Sequence, residues 1–159
     1  MRNEFAAQLR DFMFHNENAW LILGDVGYGI FDIHRAEFPS RVINTGAAEH
    51  TALCIAVGLA MEGKIPFVYT ITPFLLWRGA EVIRNYINHE EIPVKLIGSG
   101  RSRDYLQDGY SHCCVEDVAM MKSLFYNIEN YRPDNKKQIP TMFRDMIENK
   151  RPSYMNLKR

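Results

Sequence analysis

Six short runs of apolar and β-branched residues recur along this 159-residue chain, and helical periodicity separates most of them. "AWLILGDVG" (19–27, an apolar run ending in Gly and Asp that feeds a loop), "RVINTG" (41–46), "IPFVYTI" (65–71), "PVKLIGS" (93–99), "YNIENY" (126–131) and "PSYMNL" (152–157) read as strands. Helical spacing is expected over 3–14, 51–61, 74–90, 115–125 and 138–149. Strands so short cannot return on themselves through tight turns when a helix lies between them. That alternation argues for a largely parallel sheet with helices packed on its faces. The expected fold is α/β, a three-layer domain whose mostly parallel central sheet is flanked by helices. The whole chain, 1–159, is expected to be one domain, with 1–18 as an N-terminal helical segment.

The formal net charge of zero gives no field that would draw the chain to nucleic acid or to an anionic membrane. The longest uncharged run, 65–77, is too short to span a bilayer and contains Pro73. "MRNEFAAQLRDF" carries charge where a secretory signal would be apolar. Cys54, Cys113 and Cys114 cannot all pair internally, which suits a reducing, cytoplasmic setting. The run His112–Cys113–Cys114 lacks metal-ligand spacing, so no metal site is expected. "GDVGYG" (24–29) has neither the dinucleotide nor the phosphate-loop spacing and reads as a flexible strand-to-helix turn.

In a parallel sheet, ligands bind beyond the carboxyl ends of the strands. Three loops stand there: "GDVGYG", "NTGAAEH" (44–50) and "SGRSRDYLQDGYSHCC" (99–114). Glu49 opens a helix, 51–61, that has almost no polar face and is expected to be buried. A first-turn glutamate can simply complement the helix dipole. Held in an apolar setting with no partner close in sequence, it could instead share a proton with a ligand nitrogen. Phe74 sits where a ring could stack on a flat heterocycle, whereas Trp77 is expected in the core.

Taken together, "FPSRVINTGAAEHTALCIAVGLAMEGKIPFVYTI", "PFLLWRGAEVI", "DGYSHCCVEDVAMMKSL" and "RPSYMNLKR" resemble the pyrimidine-binding domain of the transketolase superfamily of thiamine diphosphate enzymes. The likeness runs from about Leu21 to the end of the chain. It implies that Glu49 contacts the cofactor's aminopyrimidine, favours its imino tautomer and so activates the thiazolium carbon. It also implies that Phe74 stacks on the ring, that His112 faces substrate, and that Asp25 and Gly27 border the cofactor pocket. Arg78 would approach substrate. Tyr110, Ser111 and Cys113 depart from the family's Asp-Gly-Pro-Thr-His-Gln stretch and change the substrate wall.

The family also requires a diphosphate-binding domain that ligates Mg2+, and no such segment is seen here. The resemblance therefore implies a split enzyme: a partner subunit carrying that domain, with two copies of each chain. Glu49 and His112 would be its catalytic residues, and part of the apolar helix would face the partner. The expected reaction moves a two-carbon ketol unit between sugars. The alternatives are a subunit acting on a 2-oxo acid, as decarboxylase or dehydrogenase, or a catalytically idle scaffold.

Overall fold

The computed structural model describes residues 1–159. Its centre is a six-stranded, all-parallel sheet in the order β2-β1-β3-β4-β6-β5. The strands are β1 (Ala19–Leu23), β2 (Val42–Asn44), β3 (Ile65–Ile71), β4 (Lys95–Ser99), β5 (Glu129–Tyr131) and β6 (Ser153–Leu157). All six lie within or at the predicted runs. Five helices fall in predicted segments: α1 (Arg2–His15), α3 (Glu49–Met61), α4 (74–89), α5 (Asp117–Ser123) and α6 (Ile139–Glu148). Between β1 and β2 lies α2 (Asp32–Glu37), which periodicity did not announce because six residues complete fewer than two turns. The helix α4 is composite: a π-helical turn Phe74–Arg78, an α-helical turn Ala80–Val82 and a π-helical segment Ile83–His89.

Alternate residues of the central strands feed two cores. Ile22, Val68, Leu96 and Tyr154 pack with Ala52, Leu53, Ala56, Leu75, Ile83, Met120 and Phe125, from α3, α4 and the region of α5. Leu21, Leu23, Phe67, Tyr69, Ile97 and Met155 pack on the other face with Phe5, Leu9 and Met13 of α1 and with Phe143 and Met146 of α6. This is the strand period of two with both faces buried, as a parallel sheet requires. No helix is long and apolar enough to cross a membrane.

Two expectations change. The helix α3 is buried on one side only. Ala52, Leu53, Ala56, Val57 and Ala60 face the sheet, while Thr51, Cys54, Gly58 and Met61 face outward. Trp77 is also not a core residue. It is 53% exposed, and its indole Nε1 donates to Glu116 Oε1 at 2.9 Å. The π-helical turn shifts the side-chain register away from the α-helical spacing on which the expectation rested.

At the opposite end of the sheet, Lys95 opens β4 almost fully buried. Its Nζ donates to Arg151 O at 2.6 Å and lies 3.4 Å from Ser153 Oγ, with no carboxylate in reach. Burial pushes its pKa down from 10.5 to about 8. The unfolded chain therefore binds more protons between those values, and Lys95 contributes stability as pH rises from 8. Cys114 works in the opposite sense, because burial pushes its thiol up from 9.0 to about 12. The unfolded thiol loses its proton first, so that contribution is lost as pH rises above 9. Urea unfolding should thus show a gain of up to about 1 kcal/mol from pH 8 to 9, and Lys95→Met should flatten it. An unchanged rise in that variant would exclude Lys95 as its source.

Candidate active site at the switch point of the sheet

The chain turns one way from β1 to β2 and returns to place β3 on the other side of β1. That reversal opens a crevice at the carboxyl ends of β1 and β3. Glu49, in the first turn of α3, projects its carboxylate there and is 1% exposed. Oε1 accepts a hydrogen bond from Thr70 Oγ1 at 3.1 Å, and Oε2 accepts one from Arg78 Nη1 at 2.7 Å. Gly24, directly after β1, makes room for this. A Cβ built there would come 2.8 Å from Thr70 Oγ1 and 3.2 Å from Glu49 Oε1.

Glu49 therefore has two partners within its own chain, neither close in sequence. A buried carboxylate left unpaired would cost several kcal/mol, so this pairing is what lets it sit in the crevice. Arg78 bridges the interior and solvent: its side chain is 47% exposed where that of Glu49 is 1%. Its guanidinium carbon also lies 4.1 Å from the centroid of the Phe74 ring. His112 packs against the same ring, with centroids 4.9 Å apart at an interplanar angle of 70°. Ser111 Oγ lies 3.1 Å from His112 Nδ1.

Glu49, Phe74 and His112 come from three separate segments, and the fold brings them together through Arg78 and Phe74. Arg78 is at Glu49 itself, a position the motif resemblance did not assign to it. Asp25 and Gly27 lie on the neighbouring loop after β1, and Asp25 is exposed, with its carboxylate engaged by Tyr28 and Asn44 rather than by Glu49's partners. Tyr28 Oη donates to Asp25 Oδ1 at 2.6 Å, and Asn44 Nδ2 lies 3.4 Å from the same oxygen. The Tyr28 hydroxyl and then the Asn44 amide hold this exposed carboxyl below the usual carboxylate range. Gly27 has φ +87°, and a Cβ there would meet Phe31 Cδ2 at 2.7 Å. Its backbone conformation and the packing of Phe31 suffice to require glycine.

Thr70 was missed by motif reasoning. The available signal was a hydroxyl at the end of an otherwise apolar strand, "IPFVYTI", at the end where ligands bind. The largest groove, about 970 Å³, lies elsewhere, lined by residues that include Met61, Tyr86, Leu124 and Tyr126. It contains none of these chemistry-bearing side chains.

Comparison with known proteins shows the family and the fold. The sequence matches, over residues 1–159, the family model described as transketolase, pyrimidine binding domain. A Methanocaldococcus jannaschii protein named as a transketolase C-terminal section is 32% identical over 123 residues, which cover 77% of this chain and 39% of that protein. A 6-deoxy-6-sulfo-D-fructose transketolase subunit of a Clostridium species is 29% identical over 123 residues, covering 77% of this chain and 38% of its own. Among solved structures, a split-gene transketolase in an inactive β4 tetramer superposes with a TM-score of 0.85 at 28% identity, covering 99% of this chain and 51% of that one. The chain spans about two-fifths of the length of these curated relatives.

Proposed function

This chain belongs to the transketolase pyrimidine-binding domain family, and from that premise we propose that it is the pyrimidine-binding subunit of a split, thiamine diphosphate-dependent transketolase-like enzyme. The observation that carries the reading is the buried Glu49 carboxylate at the switch point, with the Phe74 ring beside it. The residues present fit the cofactor's ring. A planar aminopyrimidine needs a carboxylate at one nitrogen and an aromatic face to stack on, and both are here. Thiamine diphosphate, when bound, supplies the carbon nucleophile that breaks and makes bonds next to a carbonyl.

Within this chain, Glu49 holds or moves a proton at Oε2 while Thr70 anchors Oε1. Phe74 orients the ring. His112, packed edge-on against Phe74, faces the substrate and can donate or accept a hydrogen bond there. Asp25 and Gly27 shape the rim of the pocket. Diphosphate and Mg2+ are held by the partner subunit, which seats against the outward side of α3 and α4. Thr51, Cys54, Gly58, Met61 and the exposed Trp77 present a small-residue and apolar surface there. The chain acts as one domain, and the assembly holds two copies of each subunit.

The reaction moves a two-carbon ketol unit between sugars. The name of the Clostridium relative, a transketolase subunit, supports transfer over 2-oxo acid chemistry. Purified alone, the chain should show no ketol transfer and should bind thiamine diphosphate weakly. Co-purification with its partner should bring down the cofactor, detected by mass spectrometry, together with activity. Turnover by the isolated chain would refute the split-site reading.

A further inference from the structure

The carboxylate oxygen and the ring face that an aminopyrimidine would engage in this crevice are already engaged by Arg78. A guanidinium is flat, delocalised and edged with N–H donors, as an aminopyrimidine is flat and edged with an amino group. One N–H group donates to Glu49 Oε2 at 2.7 Å. Its plane's carbon lies 4.1 Å from the Phe74 centroid. Thr70 already occupies Oε1, which Gly24 also crowds, so Oε2 is the open side of the carboxylate. A ring that pairs with Glu49 and stacks on Phe74 competes for the ground Arg78 holds.

We infer that Arg78 is an internal stand-in for the cofactor ring, bridging Glu49 and Phe74 in the unassembled subunit and displaced when the aminopyrimidine binds. The inference rests on the function proposed above and adds a residue and a step to it. Three observations converge. The spacing from Phe74 to Arg78 is four residues within one π-helical turn, so the cation lies on its own helix neighbour. The exposure is asymmetric: the guanidinium side chain is 47% open to solvent and can leave, whereas the carboxylate, at 1%, cannot. Finally, the contact supplies the only countercharge shown on a buried carboxylate, which would otherwise stand without one in the free subunit. The same pairing that makes the free subunit tolerable opposes cofactor entry. Binding is thereby biased toward the assembled enzyme, where the partner adds contacts to the rest of the cofactor.

The test uses the free chain and a hydroxymethyl aminopyrimidine, the cofactor's ring without thiazolium or diphosphate. Affinity is read by calorimetry or ligand-observed NMR. Arg78→Met, which keeps the stem and removes the cation, should bind the probe about tenfold tighter than wild type. Arg78→Lys, which keeps charge without the flat face, should fall between them and guards against a folding artefact in the first variant. Adding Glu49→Gln should remove the gain. Equal or weaker binding by Arg78→Met, or none up to the probe's solubility limit, overturns the inference. If that happens while Glu49→Gln still weakens the wild-type chain, the proposed site stands without it. If Glu49→Gln changes probe binding in neither background, the proposed role of Glu49 falls too.

Discussion

Glu49→Gln in the proposed two-subunit enzyme should lower turnover about 100-fold or more while leaving folding and subunit assembly intact. The size follows from the usual contribution of a positioned acid–base group. Gln keeps the volume and an oxygen for Thr70, so the crevice between β1 and β3 should retain its shape. What it loses is the anion and the ability to exchange a proton at Oε2. The stability cost should be about 1 kcal/mol, because the abandoned Arg78 guanidinium is already half in water and can be solvated. Glu49→Ala should behave alike in turnover, with Thr70 Oγ1 losing its acceptor as well. Steady-state rates, read beside size-exclusion profiles of the complex, separate these effects. A loss smaller than tenfold in both variants would remove Glu49 from the chemistry, whatever the burial of its carboxylate.

The fold was legible because its signals are redundant. Each strand of "IPFVYTI" or "AWLIL" type is a near-continuous apolar run, and only burial on both faces permits that. The intervening helical periods then leave few topologies other than a parallel sheet. What stayed hidden is local. The helix α2 is too short to show a period, and the π-helical turns of α4 shift the side chains by a fraction of a turn relative to α-helical spacing. That shift is why Trp77 surfaces instead of joining the core. The outward side of α3 misled for another reason. Its exposed Gly58, Cys54 and Met61 carry no charge, so in sequence the helix is indistinguishable from one buried all round.

The site was legible by residue and illegible by contact. Glu49, Phe74 and His112 could be singled out from position at the strand ends and from motif resemblance, and the structure draws them into one cluster. Their connection depends on Arg78 and Thr70, which lie 29 and 21 residues beyond Glu49. No periodicity relates residues so separated. Only the strand order, with β3 beside β1, brings them to the same carboxylate. Asp25 shows the converse. Its loop has the right address, yet its carboxylate is exposed and engaged by Tyr28 and Asn44, contacts set by two side chains and invisible to spacing.

Asp117→Ala should be among the most destabilising single changes in the chain, at about 3 kcal/mol. Asp117 is fully buried in the first turn of α5. Its Oδ2 accepts from Arg132 Nη1 at 2.6 Å and from Tyr154 Oη at 3.3 Å. Tyr154 Oη in turn accepts from Asn156 Nδ2 at 3.0 Å, and Asn156 Oδ1 accepts from Arg101 Nε at 2.8 Å. Thr72 closes the chain of contacts by donating to Gly100 O at 2.6 Å. The network joins the carboxyl ends of β3, β4 and β6 to the root of the loop that carries His112. Alanine leaves the Arg132 cation and a buried phenol hydroxyl without their acceptor, the costly half of a broken pair. For a chain of this size, the melting temperature should fall by roughly 10 °C. Asp117→Asn keeps an oxygen for one donor and should lose clearly less. The loosened loop should also displace His112, so that the proposed ketol transfer falls more in the alanine variant than in the asparagine one at a temperature where both are folded. An Asp117→Ala protein within about 0.5 kcal/mol of wild type in urea unfolding would show that the network is dispensable.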